Sequence, residues 1–84
     1  MNFIYNPPLV LESFATKEDA FAWMYDDLDS QDEHCTDNSR FAFCDDEAEI
    51  ANYESIRDTG CCGYYDSMVM VGGRKAVVGC NYGH

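Results

Sequence analysis

Positive charge is what this sequence has least of. Its 84 residues hold five Lys and Arg against 16 Asp and Glu, a formal net charge of −11. A chain so short of cations repels phosphate backbones, which excludes direct nucleic-acid binding and adsorption to an anionic membrane. Long apolar runs are missing too, since no stretch approaches the ~20 residues that a membrane-spanning helix needs. The opening MNFIYNPPLVLESF has no basic segment, and Asn6-Pro7-Pro8 breaks its apolar residues, so no secretory signal is read there. Five cysteines is an odd number, which a fully paired disulfide framework cannot absorb. With no export signal, the expectation is a reducing cytoplasm, with the cysteines as thiols or metal ligands. Internal repeats, linkers and low-complexity segments are absent as well.

Apolar and aromatic residues are plentiful, at 46% and 14% of the chain. That supports a folded core and excludes a disordered chain. The length fits one domain, 1–84. A domain of this size buries only about two-thirds of the surface its unfolded chain exposes.

The pattern along the chain predicts six principal elements. Leu9 to Phe14 alternates as a strand, and Phe3 to Tyr5 before the prolines reads as a short edge strand. TKEDAFAWMYDDL reads as a helix capped by Thr16, with Ala20, Phe21, Met24, Tyr25 and Leu28 as its buried stripe and Trp23 at one flank. Asp26 and Asp27 fall at its C-terminal end, where the helix dipole disfavours acids. DSQDEHCTDNS reads as a loop, and RFAFC as a strand with Phe41 and Phe43 opposite Arg40, Ala42 and Cys44. DDEAEIANYESIRDTG reads as a second helix, capped by Asp45 or Asp46, buried along Ile50, Tyr53 and Ile56, and ended by Gly60. Two strands, Tyr64 to Val71 and Arg74 to Cys80, flank Gly72-Gly73, a two-residue hairpin turn. Gly79 marks a bulge or a close approach, and Asn81 to Gly83 read as a turn. The expected fold is α+β in the order β-α-β-α-β-β, an antiparallel sheet with a C-terminal hairpin and two helices on one face.

Three chemistries compete for the cysteines and histidines. Zinc takes four N or S ligands, and Cys61, Cys62, Cys80 and His84 (or His34) supply that number, which describes a small regulatory or adaptor module. The adjacent Cys61-Cys62 lacks the usual two-residue spacing, however, and Cys44 and Cys80 stand at strand positions where cysteine packs as a small hydrophobe. A nucleophilic pair, Cys80 with His84, meets a negative local field that raises a thiol's pKa. No phosphate-binding glycine loop or nucleophile elbow accompanies it. Neither a catalytic residue nor a cofactor is therefore assigned. The acidic DLDSQDEHCTD has no glycine for the sharp turn of a calcium-binding loop.

Every acid lies between Glu12 and Asp66, and ten of them fall between Asp26 and Glu49 with Arg40 the one cation among them. A solvated face and helix caps account for some of these. The sharper reading is mimicry of nucleic acid, with Asp26, Asp27, Asp29, Asp32, Glu33, Asp45, Asp46, Glu47 and Glu49 occupying a basic groove that nucleic acid would otherwise fill. An alternative contact surface is the hairpin, through Tyr64, Tyr65, Tyr82, Arg74 and Lys75.

RFAFCDDEAEIANYESIRDTGCCGYYDSMVMVGGRKAVVGCNYGH, about half the chain, resembles the C-terminal half of a group of small proteins carried by bacteriophages and other mobile elements. The likeness rests on the acid-rich helix start, GCCG followed by YYD, the hairpin with GGRKA, and the ending GCNYGH. By size and acidity the chain also resembles anti-CRISPR proteins, the phage-encoded inhibitors of bacterial defence. That resemblance implies a non-enzymatic inhibitor in the host cytoplasm, a monomer or homodimer. Its partner would be a basic nucleic-acid-binding protein or ribonucleoprotein, a CRISPR effector foremost.

Overall fold

The computed structural model describes residues 9–32, 34–57 and 64–83. The elements are β1 (Leu9–Phe14), α1 (Lys17–Ser30), β2 (His34–Phe43), α2 (Glu47–Arg57), β3 (Tyr64–Val71) and β4 (Arg74–Gly83). This is the expected α+β order with its C-terminal hairpin. The strands form one sheet in the order β1-β3-β4-β2. The two ladders made by β4 are antiparallel, and β1 joins β3 in parallel, so the sheet is mixed. The expected strand at Phe3 to Tyr5, with Pro7-Pro8, lies outside the described residues, as do Glu33, Gly60, Cys61, Cys62 and His84.

Local chemistry starts and stops each helix. The Thr16 hydroxyl accepts from the Asp19 amide at 3.3 Å and opens α1. Asp32 ends that helix with φ 59, a left-handed residue in the place glycine usually takes. Asp46 is the cap of α2: its Oδ1 accepts from the Glu49 amide at 3.1 Å. At the hairpin both Gly72 and Gly73 have positive φ, 59 and 81, the geometry that joins two twisted strands in two residues. Arg74 clamps this tip. Its guanidinium lies 3.7 Å from the centre of the Phe43 ring and makes a bidentate bond to Asp45.

The helices cover opposite faces of the sheet, which corrects the expectation that they share one. α1 lays Ala20, Met24 and Leu28 on Val69, Val71, Ala76, Val78 and Cys80. α2 lays Ile50 and Tyr53 on Ala42 and Val77, the other side of the same strands. Alternation explains the split, because β2 and β4 are apolar on both faces and each needs a cover. Tyr25, expected in the buried stripe, is 41% exposed. It stacks along Phe21 at 6.4 Å and bonds Ser39 at 2.8 Å, beside the sheet edge.

Two strands run further than expected. β2 begins at His34, inside the stretch read as a loop, and β4 continues through Asn81, Tyr82 and Gly83, read as a turn. The two extensions pair with each other, His34 with Gly83 and Cys35 with Tyr82, across register shifts. Each supplies the ladder that the other's polar sequence did not announce.

Gly79 is where the fold tolerates least. A Cβ there would overlap the Tyr53 hydroxyl and the Tyr65 carbonyl oxygen, and would stand 2.8 Å from Asp66 Oδ1. Gly79→Ala is expected to destabilise the protein by about 2–4 kcal/mol, measured by urea unfolding. A loss below about 0.5 kcal/mol would show that the close approach is not needed.

Candidate functional site

Arg40, Gly79 and Asp66 stand in register across three adjacent strands, β2, β4 and β3. All three project to the α2 face. Two ladder spacings separate β2 from β3, about 9.6 Å. The missing side chain of Gly79 opens a channel through which the flanking pair can meet. Arg40 Nη2 reaches Asp66 Oδ1 at 3.6 Å, with the side chains 2% and 7% exposed. Arg40 Nη1 donates to Asn81 Oδ1 at 3.2 Å, one step along the same face of β4. Tyr53 closes the cluster from α2. Its hydroxyl donates to Asp66 Oδ1 at 2.6 Å, and its ring centre lies 5.1 Å from the guanidinium carbon.

This cluster was missed in the sequence. Its signal is weak but present: Arg40 alternates with Ala42 in an apolar strand, and Asp66 is the last acid of the chain, within an apolar hairpin arm. A charge in such a position either reaches solvent or finds a partner.

The nine acids named from the sequence do not share a face. Asp26, Asp27, Asp29 and Asp32 gather at the C-terminal end of α1, and Asp45, Asp46, Glu47 and Glu49 at the start of α2. Asp27 is tied to Tyr65 and Asp45 to Arg74, and those two partners sit at opposite ends of the hairpin. Six residue steps along β3 take Tyr65 to Val71, which pairs with Arg74, about 20 Å along the strand. The ninth acid, Glu33, lies outside the described residues.

The two acid groups also differ in duty. At α2, Asp46 caps the helix, Asp45 holds Arg74, and Glu49 Oε1 accepts the Phe43 amide at 2.9 Å. The guanidinium hydrogen-bonded to Asp45 holds its carboxyl below the usual carboxylate range. At α1, Asp26, Asp29 and Asp32 are exposed, and Asp27 is half-buried. Asp27 Oδ2 accepts from Gln31 Nε2 at 3.1 Å and from the Tyr65 hydroxyl at 3.2 Å. The tertiary bond to Tyr65 gives an acid at a helix C-terminus one reason to be there.

Cys80 is fully buried under α1, and neither it nor half-buried Cys44 is in a disulfide. Burial pushes the Cys44 thiol above its ordinary value, and Lys75 offsets this only in part, so little thiolate forms. Among the described residues no cluster of three or more His, Cys, Asp or Glu side chains is placed to hold a metal ion. Cys61, Cys62 and His84, the other members of the zinc set, lie outside the described residues. Among the described residues no helix is long and apolar enough to cross a membrane. No family model, no curated protein and no solved structure matches the chain.

Two outcomes follow. Arg40→Met strands Asp66 in the interior and is expected to cost about 3–5 kcal/mol in urea unfolding, with much of that recovered in the double variant Arg40→Met, Asp66→Asn. Additive losses would show that the pair is not coupled. Burial, reinforced by nearby Asp27, pushes the Tyr65 phenol up to about 12 from an ordinary value of 10.0. A raised folded value stabilises the protein below pH 10 and loses that contribution as pH rises toward 12. The melting-temperature gap between wild type and Tyr65→Phe should therefore shrink between pH 9 and pH 11.5, and a constant gap would contradict this.

Proposed function

We propose that this chain is a non-enzymatic, phage-encoded inhibitor of a bacterial defence system. It acts in the host cytoplasm by covering the basic nucleic-acid-binding surface of its partner, a CRISPR effector by the resemblance described above. The observation that carries the reading is how the fold distributes its charge. Cations are scarce, and two of the five are held by acids of the chain itself: Arg40 buried against Asp66, and Arg74 against Asp45. Asp26, Asp29 and Asp32 stand exposed at the end of α1, so a surface with net charge −11 meets a partner as a polyanion.

The division of duty between the acid groups narrows the contact. Asp45, Asp46 and Glu49 serve the start of α2 and the hairpin tip, and the exposed positions of Asp26, Asp29 and Asp32 make these the acids proposed to face a partner. A basic groove attracts such a cluster over several ångströms, speeds encounter and orients docking, and nucleic acid is then denied the same groove.

A panel of purified CRISPR effector ribonucleoproteins, assayed for target-DNA binding, tests the reading. At least one is expected to lose target binding in the presence of the chain, with inhibition weakening as salt rises. The triple variant Asp26→Asn, Asp29→Asn, Asp32→Asn should need about tenfold more protein for the same inhibition. Unchanged potency of that variant, or an inert panel, would defeat the proposal.

A further inference from the structure

We infer that the outer edge of the sheet formed by the described strands, along β2 between the two helices, accepts a short extended segment of a basic partner protein by strand addition. The inference rests on the proposed function for the partner's charge, and on the fold for the site. Among the described residues β2 is an edge strand, and because α1 and α2 lie on opposite faces, both overhang that edge. The result is a groove of about 370 Å³ with Phe41 in its floor, Lys17 and Phe21 in one wall, and Asn52 and Ile56 in the other.

The backbone direction along this edge follows from two bonds. The Cys44 amide donates inward to the Lys75 carbonyl at 2.9 Å. One residue earlier, the Phe43 amide points away from β4 and is taken by Glu49 at 2.9 Å. Antiparallel pairing alternates these directions, and the register is regular from Arg40 to Phe43. The amide and carbonyl of Phe41 therefore open on the groove. Glu49 closes the edge on one side of them, and the Tyr25 to Ser39 bond of 2.8 Å closes it on the other. Ser39 to Phe43 spans about 13 Å, room for three to five extended residues. One residue offering both its amide and its carbonyl is the unit by which an antiparallel strand is added.

Charge selects the occupant. The lining carries Lys17, Glu49 and Arg40, and Asp66 balances the charge of Arg40, so the groove is locally neutral and the surrounding field decides. A second copy of this chain would bring another −11 to the edge. A segment alternating Lys with small apolar residues is drawn in, its apolar side chains toward Phe21 and Ile56.

Titration of the full chain with the peptide acetyl-Lys-Val-Lys-Val-Lys-amide, followed by amide NMR, tests this. The Phe41 amide is expected to shift saturably, and its solvent exchange to slow about fivefold near saturation. Asn52→Trp and Lys17→Trp, from opposite walls and both at exposed positions, should each abolish the response while the rest of the spectrum stays dispersed. Two such variants keep the test decisive if one fails to fold. Shifts centred on Asp26 and Asp32 with Phe41 unmoved would overturn the groove and leave the charge reading standing. A saturable Phe41 response, beside an effector assay indifferent to the α1 acids, would support the groove and defeat the charge reading. Phe41 protection that grows with protein concentration and without peptide would mean self-pairing, and would overturn the assigned occupant.

Discussion

An ion pair that spans a glycine organises this fold. Arg40 and Asp66 belong to strands that do not touch, and they meet because β4 places Gly79 between them. Tyr53 then sets its hydroxyl on Asp66 and its ring against the guanidinium, which docks α2 on this face of the sheet. A one-residue slip of β2 would turn Arg40 toward the α1 core, among Val78, Cys80 and Met24. The buried pair thus penalises the wrong register heavily, whatever it adds to net stability. With β2 in place and α2 over it, the edge groove and the start of α2 take their positions.

Charge is sorted by the same architecture. Arg40 is withdrawn into the interior, and Arg74 is held at the hairpin tip by Asp45 and the Phe43 ring. Asp45, Asp46 and Glu49 are occupied with a clamp and caps at the start of α2, whereas at the end of α1 Asp27 bonds Tyr65 and Asp26, Asp29 and Asp32 are exposed. Composition alone describes both groups as one excess of negative charge. In three dimensions they lie on opposite faces and about 20 Å apart along the strands, so one partner groove engages one group at a time.

Much of this was legible in the sequence, wherever a local rule governed. Thr16 announced the start of α1, Gly72-Gly73 fixed the hairpin, and the alternation of Phe41 and Phe43 with Arg40 and Ala42 assigned the faces of β2. Errors arose where a distant partner decided. His34 to Ser39 and Asn81 to Gly83 are polar and turn-like in isolation, yet each becomes strand by pairing with the other. Tyr25 has the spacing of a core residue, but the turn of α1 over the edge strand carries it to Ser39 and solvent. The placement of the helices depended on β2 and β4 being apolar on both faces, which a local pattern shows only once their pairing is known. The sequence marks Gly79 as a bulge or close approach, but what it approaches depends on the docking of α2.

The most direct test of the account is a capture experiment with tagged protein in bacterial lysate, eluted by a rising salt gradient. The account predicts that nucleic-acid-binding proteins elute as salt rises, that digesting the nucleic acid in the lysate does not release them, and that free duplex DNA competes them off. Retention of proteins that resist high salt and ignore duplex DNA would contradict the claim that this chain works as a folded polyanion.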